Sequence, residues 1–228
     1  MSAPGLFVTG TDTGIGKTVI ACGLVRAFVA RGERVAVMKP IASGAERTPE
    51  GLRNEDALAL LRAANVPLRY AQVNPFCFEP AISPHIAAED AKIEIDLRVI
   101  ASGLDELRRS ADRVIIEGAG GWLAPINRRE SMAELARALA VPALMVVGLR
   151  LGCLNHAQLT RLGIDAAGVP FAGWIANRMQ TAMEREAENL ATLERRLGQP
   201  PLSIVPFIPE RTSSLVLEAA AARLTAAG

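Results

Sequence analysis

The chain is predicted to be α/β: a single-domain, doubly wound, mostly parallel sheet with helices on both faces. Three observations carry this. Short apolar, β-branched-rich segments alternate with longer helical ones, the order that βαβ units impose. The strand candidates are near-continuous apolar runs rather than apolar–polar alternations, as expected where helices cover both faces of a sheet. The first strand candidate also runs into a Gly/Thr-rich turn and then a helix, Leu6-Phe-Val-Thr-Gly-Thr-Asp-Thr-Gly-Ile-Gly-Lys-Thr18.

Taken in order, residues 6–9 form the first strand and residues 17–30 the helix after the glycine turn. A second strand covers 34–38, and helices follow at 55–64 and 96–110. The run Arg113-Val-Ile-Ile-Glu117 is the third strand, followed by a helix over 132–139 and the wholly apolar strand 143–149. A helix over 157–166, a strand over 172–176, a helix over 183–197, a strand over 202–205 and a helix over 213–226 complete the pattern. No repeat, low-complexity tract or linker divides the 228 residues, so 1–228 reads as one domain.

Composition excludes several functions. A formal net charge of +1 gives no electrostatic case for nucleic acid or an anionic membrane. No apolar run approaches the ~18 residues of a membrane helix, and the start of the chain lacks a signal-peptide layout, so a cytoplasmic protein is expected. Cys22, Cys77 and Cys153 are odd in number and widely spaced, which suits free core thiols better than disulfides or zinc. Of the 25 basic residues only Lys17, Lys39 and Lys92 are lysine. Against that arginine bias, a retained lysine marks a place where a compact ammonium is needed.

The 6–18 segment reads as a phosphate cradle. Small residues let backbone N–H groups approach phosphate oxygens, and the helix N-terminus adds roughly half a positive charge. Lys17 is placed for the β/γ-phosphates and the Thr18 hydroxyl for Mg²⁺. The usual Gly-x4-Gly-Lys-[Ser/Thr] spacing would put glycine where Thr11 stands; Gly10 lies one residue further out.

In an open parallel sheet ligands sit beyond the carboxyl ends of the strands, so the residues after each strand are the next candidates. Lys39-Pro-Ile-Ala-Ser43-Gly44 follows the second strand and aims a lysine at the same cleft. Glu117-Gly-Ala-Gly-Gly121 ends the third with a carboxylate suited to Mg²⁺ or its waters. Asp56 begins a helix, so metal binding and N-capping are both open to it. Arg150-Leu-Gly152-Cys-Leu-Asn155 leads into another helix, where Asn155 could equally be a cap. Asn177 ends a strand with an amide able to read a base edge, and Pro206-Phe-Ile-Pro209 could line that base. His85 and His156 are too far apart and too poorly accompanied to argue a transition-metal site.

Seven segments in this order resemble the dethiobiotin synthetases, ATP- and Mg²⁺-dependent enzymes of biotin biosynthesis. They are Val8-Thr-Gly-Thr-Asp-Thr-Gly-Ile-Gly-Lys-Thr18, Lys39-Pro-Ile-Ala-Ser-Gly44, Leu52-Arg-Asn-Glu-Asp56, Ser83-Pro-His85, Glu117-Gly-Ala-Gly-Gly-Trp122, Leu151-Gly-Cys-Leu-Asn-His156 and Gly173-Trp-Ile-Ala-Asn177. The resemblance covers nearly the whole chain, and the long phosphate-loop spacing is typical of that family. It implies a P-loop NTPase fold and a reaction that closes a cyclic urea on 7,8-diaminononanoate with CO₂ and ATP.

The resemblance also implies roles. Lys17, Lys39 and Thr13 would act on the transferring phosphoryl group and the carbamate. Gly14, Ile15, Gly16, Lys17, Thr18 and Val19 would hold ATP, together with Asp56, Glu117, Gly118, Ala119 and Gly120. Asn177, Arg178, Pro206, Phe207 and Ile208 would surround adenine. Thr18, Asp56 and Glu117 would hold Mg²⁺, and Ser43 the diamine. Gly152, Cys153 and Asn155 would bind the substrate carboxylate across a homodimer interface. Gly14 stands where some members carry Glu, and Arg178 where some carry Asp.

The rival reading is a switch ATPase of the chromosome- and septum-positioning type, which shares the fold. Those proteins carry a second phosphate-loop lysine at the position of Asp12, and this chain shows no basic patch or C-terminal amphipathic membrane helix. A nucleotide-binding regulator without catalysis is disfavoured by Lys39, Glu117 and the 152–155 loop together.

Overall fold

The computed structural model describes residues 3–181, 183–207, 221 and 223. In chain order the elements are β1 (Gly5–Gly10), α1 (Lys17–Ala30), β2 (Val35–Met38), β3 (Ile41–Ala42), β4 (Glu46–Thr48), β5 (Gly51–Arg53), α2 (Glu55–Ala63) and α3 (Tyr70–Val73). They continue with β6 (Phe76–Cys77), α4 (Pro84–Asp90), α5 (Leu97–Ser110), β7 (Arg113–Glu117) and α6 (Met132–Ala138). The last are β8 (Ala143–Leu149), α7 (Cys153–Ala166), β9 (Phe171–Arg178), α8 (Glu186–Leu197) and β10 (Ser203–Val205).

Six strands make the central sheet in the order β10-β9-β8-β1-β7-β2, and every pairing in it is parallel. β1 and β8 are buried at every position, which explains a sequence apolar throughout in β8 and broken only by Thr9 in β1. Alternate side chains feed two cores. Leu6, Val8, Val37, Ile115 and Val146 pack on α1 and α2. Phe7, Met38, Ile116, Met145 and Trp174 pack on the opposite face against α5 to α8. The doubly wound, parallel expectation holds.

The chain leaves β1, crosses to the edge strand β2, returns to β7 and then builds outward from the other side of β1 with β8. Connections therefore diverge on either side of β1, opening a crevice at the carboxyl ends of β1, β7 and β8. Register places Val8 beside Glu117 and Ile116 beside Met38, so Glu117 and Lys39 emerge from neighbouring strands at the same edge.

Several expected boundaries move. The helix expected over 157–166 starts at Cys153, because left-handed Gly152 (φ 95°) is its N-cap. That corrects the alternative of Asn155 as the cap. The helix expected from residue 183 starts at Glu186. The pairs β3–β6 and β4–β5 and the helices α3 and α4 were not foreseen. The helix expected over 213–226 lies outside the described residues, save Ala221 and Arg223, which are helical. Cys22 and Cys153 are buried free thiols, and Cys77 is partly buried.

Candidate active site

The phosphate loop leaves β1 and ends at Gly16, which caps α1 in the left-handed conformation (φ 86°). A side chain there is strained by the backbone and would have to displace a neighbour. The φ disfavours any L-residue, and a Cβ would lie 2.4 Å from the Asn177 amide nitrogen. That amide donates to the Ile15 carbonyl at 2.8 Å, so the end of β9 anchors the loop. α1 carries no side-chain cap and no acidic residue in its first turn, which leaves its N-terminal N–H groups for an anion.

A cavity of about 380 Å³ opens over this loop, lined by Thr13, Gly14, Gly16, Lys17, Thr18, Val19, Lys39, Ala42, Ser43, Asn54, Asp56, Glu117, Ala119 and Gly120. Most expected phosphate, metal and catalytic residues therefore meet in one place. Lys17 Nζ donates to the Asp12 carbonyl at 2.8 Å. Burial, and then the neighbouring Lys39 charge, lower its pKa to about 8. Lys92, by contrast, lies in the wall of a separate cavity of about 780 Å³ with His85 and Arg128.

Lys39 is the centre of the charge cluster. It is only 4% exposed, and its Nζ donates to Glu117 Oε1 at 2.6 Å and Asp56 Oδ2 at 3.0 Å. Burial opposes its charge, but the Glu117 and Asp56 carboxylates outweigh that and hold its pKa above the ordinary lysine value. Burial likewise opposes the Asp56 charge, and the Lys39 ammonium holds that carboxyl below its usual range.

Asp56 is not the N-cap of α2, one of the two roles open to it from the sequence. Asn54 caps α2, accepting from the Ala57 N–H at 3.2 Å. Its amide donates to the Ser43 carbonyl at 3.2 Å, tying the Ser43 loop to the helix that carries Asp56. Asn74 plays a similar part for Lys39: its side-chain amide donates to the Lys39 carbonyl at 2.7 Å. Tyr70 links the two, donating to Asn74 Oδ1 at 2.9 Å and accepting from the Asn54 N–H at 2.7 Å. Sequence reasoning missed all three positioning residues; only the Asn at a helix start was a visible signal.

The donor set fits a magnesium ion. Glu117 Oε1 accepts from Thr18 Oγ1 at 2.8 Å and from Lys39, while its Oε2 is buried with no hydrogen-bond partner. A buried carboxylate oxygen left unpaired is costly, and a cation would satisfy it. Among the described residues no group of three His, Cys, Asp or Glu stands ready to hold a metal. Magnesium needs no such cage, since it keeps waters and takes one or two carboxylates plus phosphate oxygens.

The remaining expected residues, so far as they are described, do not line the cavity. Arg178 forms a two-pronged ion pair with Glu186, its Nη2 at 2.7 Å. Phe207 is exposed, and Ile208 lies outside the described residues. Gly152, Cys153 and Asn155 occupy the start of α7, with Asn155 exposed. On that side Leu151 is 96% exposed, and Leu159 and Leu162 are exposed along the helix.

A family model described as an AAA domain matches residues 4–214. The ATP-dependent dethiobiotin synthetase BioD of Pseudomonas aeruginosa is 50% identical over 214 residues, covering 93% of this chain and 94% of that one. That of Xanthomonas oryzae is 46% identical over 210 residues, 92% of this chain and 94% of its own. Among solved structures, the MinD cell division protein of Aquifex aeolicus aligns over 98% of both chains, with TM-score 0.62 and 16% identity. The cell division ATPase MinD of Pyrococcus furiosus aligns over all of both chains, with TM-score 0.61 and 17% identity. These two share the fold, and at that identity the likeness carries nothing further. Identity near one half across nine-tenths of the chain is of another order, and by it the chain belongs to the dethiobiotin synthetase family.

Proposed function

We propose that the chain is an ATP-dependent ligase of biotin biosynthesis that closes the cyclic urea of dethiobiotin on 7,8-diaminononanoate. The observation that carries this is Lys39, buried between Asp56 and Glu117 above a phosphate loop, in a chain of this family. A mere nucleotide-binding site has no need of a second buried lysine. One substrate amine takes up CO₂ as a carbamate, whose oxygen attacks the γ-phosphorus and releases ADP. The second amine then attacks the carbonyl carbon, expelling phosphate and closing the ring.

Each residue has a part in this scheme. The Gly14–Val19 loop and Gly118–Gly120 cradle the phosphates. Lys17 and Lys39 stabilise negative charge gathering on the phosphoryl group and carbamate, and Thr13 donates to the same centre. Thr18, Asp56 and Glu117 would hold Mg²⁺, which would supply neutralisation of phosphate charge. Ser43 contacts the diamine. Asn177 reads adenine beside Pro206 and Phe207, exchanging its bond to the Ile15 carbonyl when nucleotide enters.

Gly152, Cys153 and Asn155 lie outside the chain's own cavity, which supports a homodimer in which they receive the substrate carboxylate from the partner's site. The exposed Leu151, Leu159 and Leu162 would be covered there. On this reading the protein is a cytoplasmic enzyme of one domain with no nucleic-acid or membrane partner, in keeping with its formal net charge of +1. Among the described residues no helix is long and apolar enough to cross a membrane.

The deciding experiment measures ADP release with and without 7,8-diaminononanoate and bicarbonate, with mass spectrometry of the organic product. Diamine-dependent ADP release with a cyclic urea formed is expected. Hydrolysis indifferent to the diamine, with no new product, would return the weight to a switch ATPase.

Two further results are expected. Asn155→Ala raises the KM for the diamine about tenfold or more, the worth of a hydrogen bond to a charged group. The KM for ATP stays constant, and equal effects on both would remove Asn155 from the carboxylate site. Nucleotide binding also depends on pH. Bound phosphates favour charged Lys17 and raise its pKa above the free-protein value of about 8. Affinity is therefore full below that value and falls as pH rises above it, by at most about tenfold per unit. Calorimetry at about pH 9 in buffers of different ionisation enthalpy should show proton uptake; none would mean that Lys17 does not titrate on binding.

A further inference from the structure

The mechanism above leaves Asp12 and Arg150 without a role, yet the phosphate loop is tied through them. Asp12 is a loop residue that does not line the cavity. Its backbone carbonyl accepts from Lys17 Nζ at 2.8 Å, and its Oδ1 accepts from the Thr13 N–H at 2.7 Å. Its Oδ2 is held by the guanidinium of Arg150, the first residue after β8. The Arg150 carbonyl in turn accepts from the N–H of Cys153, the first residue of α7, at 3.0 Å. A continuous line of hydrogen bonds thus runs from the start of α7 through Arg150 and Asp12 to Thr13 and Lys17.

We propose that Arg150 is a positioning residue for nucleotide binding, acting through Asp12. It has two effects. It cancels a carboxylate charge on the loop that must receive a triphosphate. It also anchors the side chain that holds the Thr13 N–H, so that Thr13 and Lys17 keep one arrangement. Without Arg150, Asp12 is an uncompensated negative charge within the phosphate loop, and it repels the ligand. Because Arg150 and Asp12 side chains are 47% and 42% exposed, solvent screens the pair, and the effect is a graded loss of affinity rather than a collapse.

The proposal rests on the reading that this cavity takes ATP. It is tested by calorimetric titration of a non-hydrolysable ATP analogue with Mg²⁺, with no diamine present. Arg150→Ala should weaken binding about three- to tenfold, and Arg150→Lys should restore most of it. The double variant Asp12→Asn/Arg150→Ala should bind more tightly than Arg150→Ala alone, because asparagine keeps an acceptor for the Thr13 N–H and carries no charge. A pair that only braced the fold would show no such recovery, and thermal melts of each variant report that bracing separately. Unchanged binding by Arg150→Ala overturns the proposal, as does a double variant no better than the single one. A wild-type protein that binds no nucleotide overturns the nucleotide reading and this proposal together.

Discussion

Lys39→Arg abolishes turnover while leaving the fold intact. The ammonium sits within 3.0 Å of oxygens from both Asp56 and Glu117, and the side chain is 5% exposed. A point-like cation with three donors suits that space; a wider, planar guanidinium on a three-carbon stem cannot aim at both carboxylates and still face the cavity. The substitution keeps the charge, so the carboxylates remain neutralised and the protein remains folded. Arginine is therefore a cleaner probe than methionine, which would leave Glu117 without its closest counter-charge. The loss should fall on kcat, about 10²–10³-fold or more, as for removal of a preorganised electrostatic group. The KM for ATP should move little. Steady-state kinetics beside circular dichroism make the test, and near-normal turnover would remove Lys39 from the catalytic machinery.

Glu117→Gln carries the second large effect. One carboxylate oxygen serves both the Thr18 hydroxyl and the Lys39 ammonium, and the other is buried with no hydrogen-bond partner. Glutamine removes the charge that balances Lys39 and the oxygen best placed for a cation. Turnover should fall about 10²-fold or more, and the Mg²⁺ concentration for half-maximal rate should rise. Stability should fall as well, toward the lower end of the ~3–5 kcal/mol for breaking a buried ion pair. Asp56 remains to share the Lys39 charge, which limits that cost. Thermal denaturation and a Mg²⁺ titration of the rate separate the two consequences. An unaltered Mg²⁺ requirement would take Glu117 out of the metal site and leave it as the counter-ion of Lys39 alone.

These two results depend on features of unequal legibility. The strands β7 and β8 have the bounds expected of them, Arg113–Glu117 and Ala143–Leu149, because each is built on a buried apolar run delimited by charged residues, Arg113 and Glu117 at the two ends of β7 and Arg150 just after β8. α1 is as expected over Lys17–Ala30, since the glycine turn opens it and Gly32 follows its end. The arginine bias of the chain singles out Lys17, Lys39 and Lys92; the first two line the cavity and Lys92 does not. The two- and three-residue strands β3 to β6 are too short for any periodicity to register. α7 starts before the expected residue 157 because its cap is a lone left-handed glycine, without the Gly14–Gly16 turn and the Lys17-Thr18 pair that mark the start of α1.

By itself the sequence determined the alternation of strands and helices, the phosphate loop and the residues at the strand ends, because periodicity and turn chemistry are local. Tertiary structure decided which of those residues share a site. Asn54 and Asp56 are both cap-type residues at the start of α2; the folded chain gives the Ala57 N–H to Asn54 and brings Lys39, from the end of β2, to Asp56. The pairing of Arg150 with Asp12 is likewise a product of β8 lying beside β1. Order across the sheet sets these meetings, and that order comes from long-range packing that no local pattern encodes.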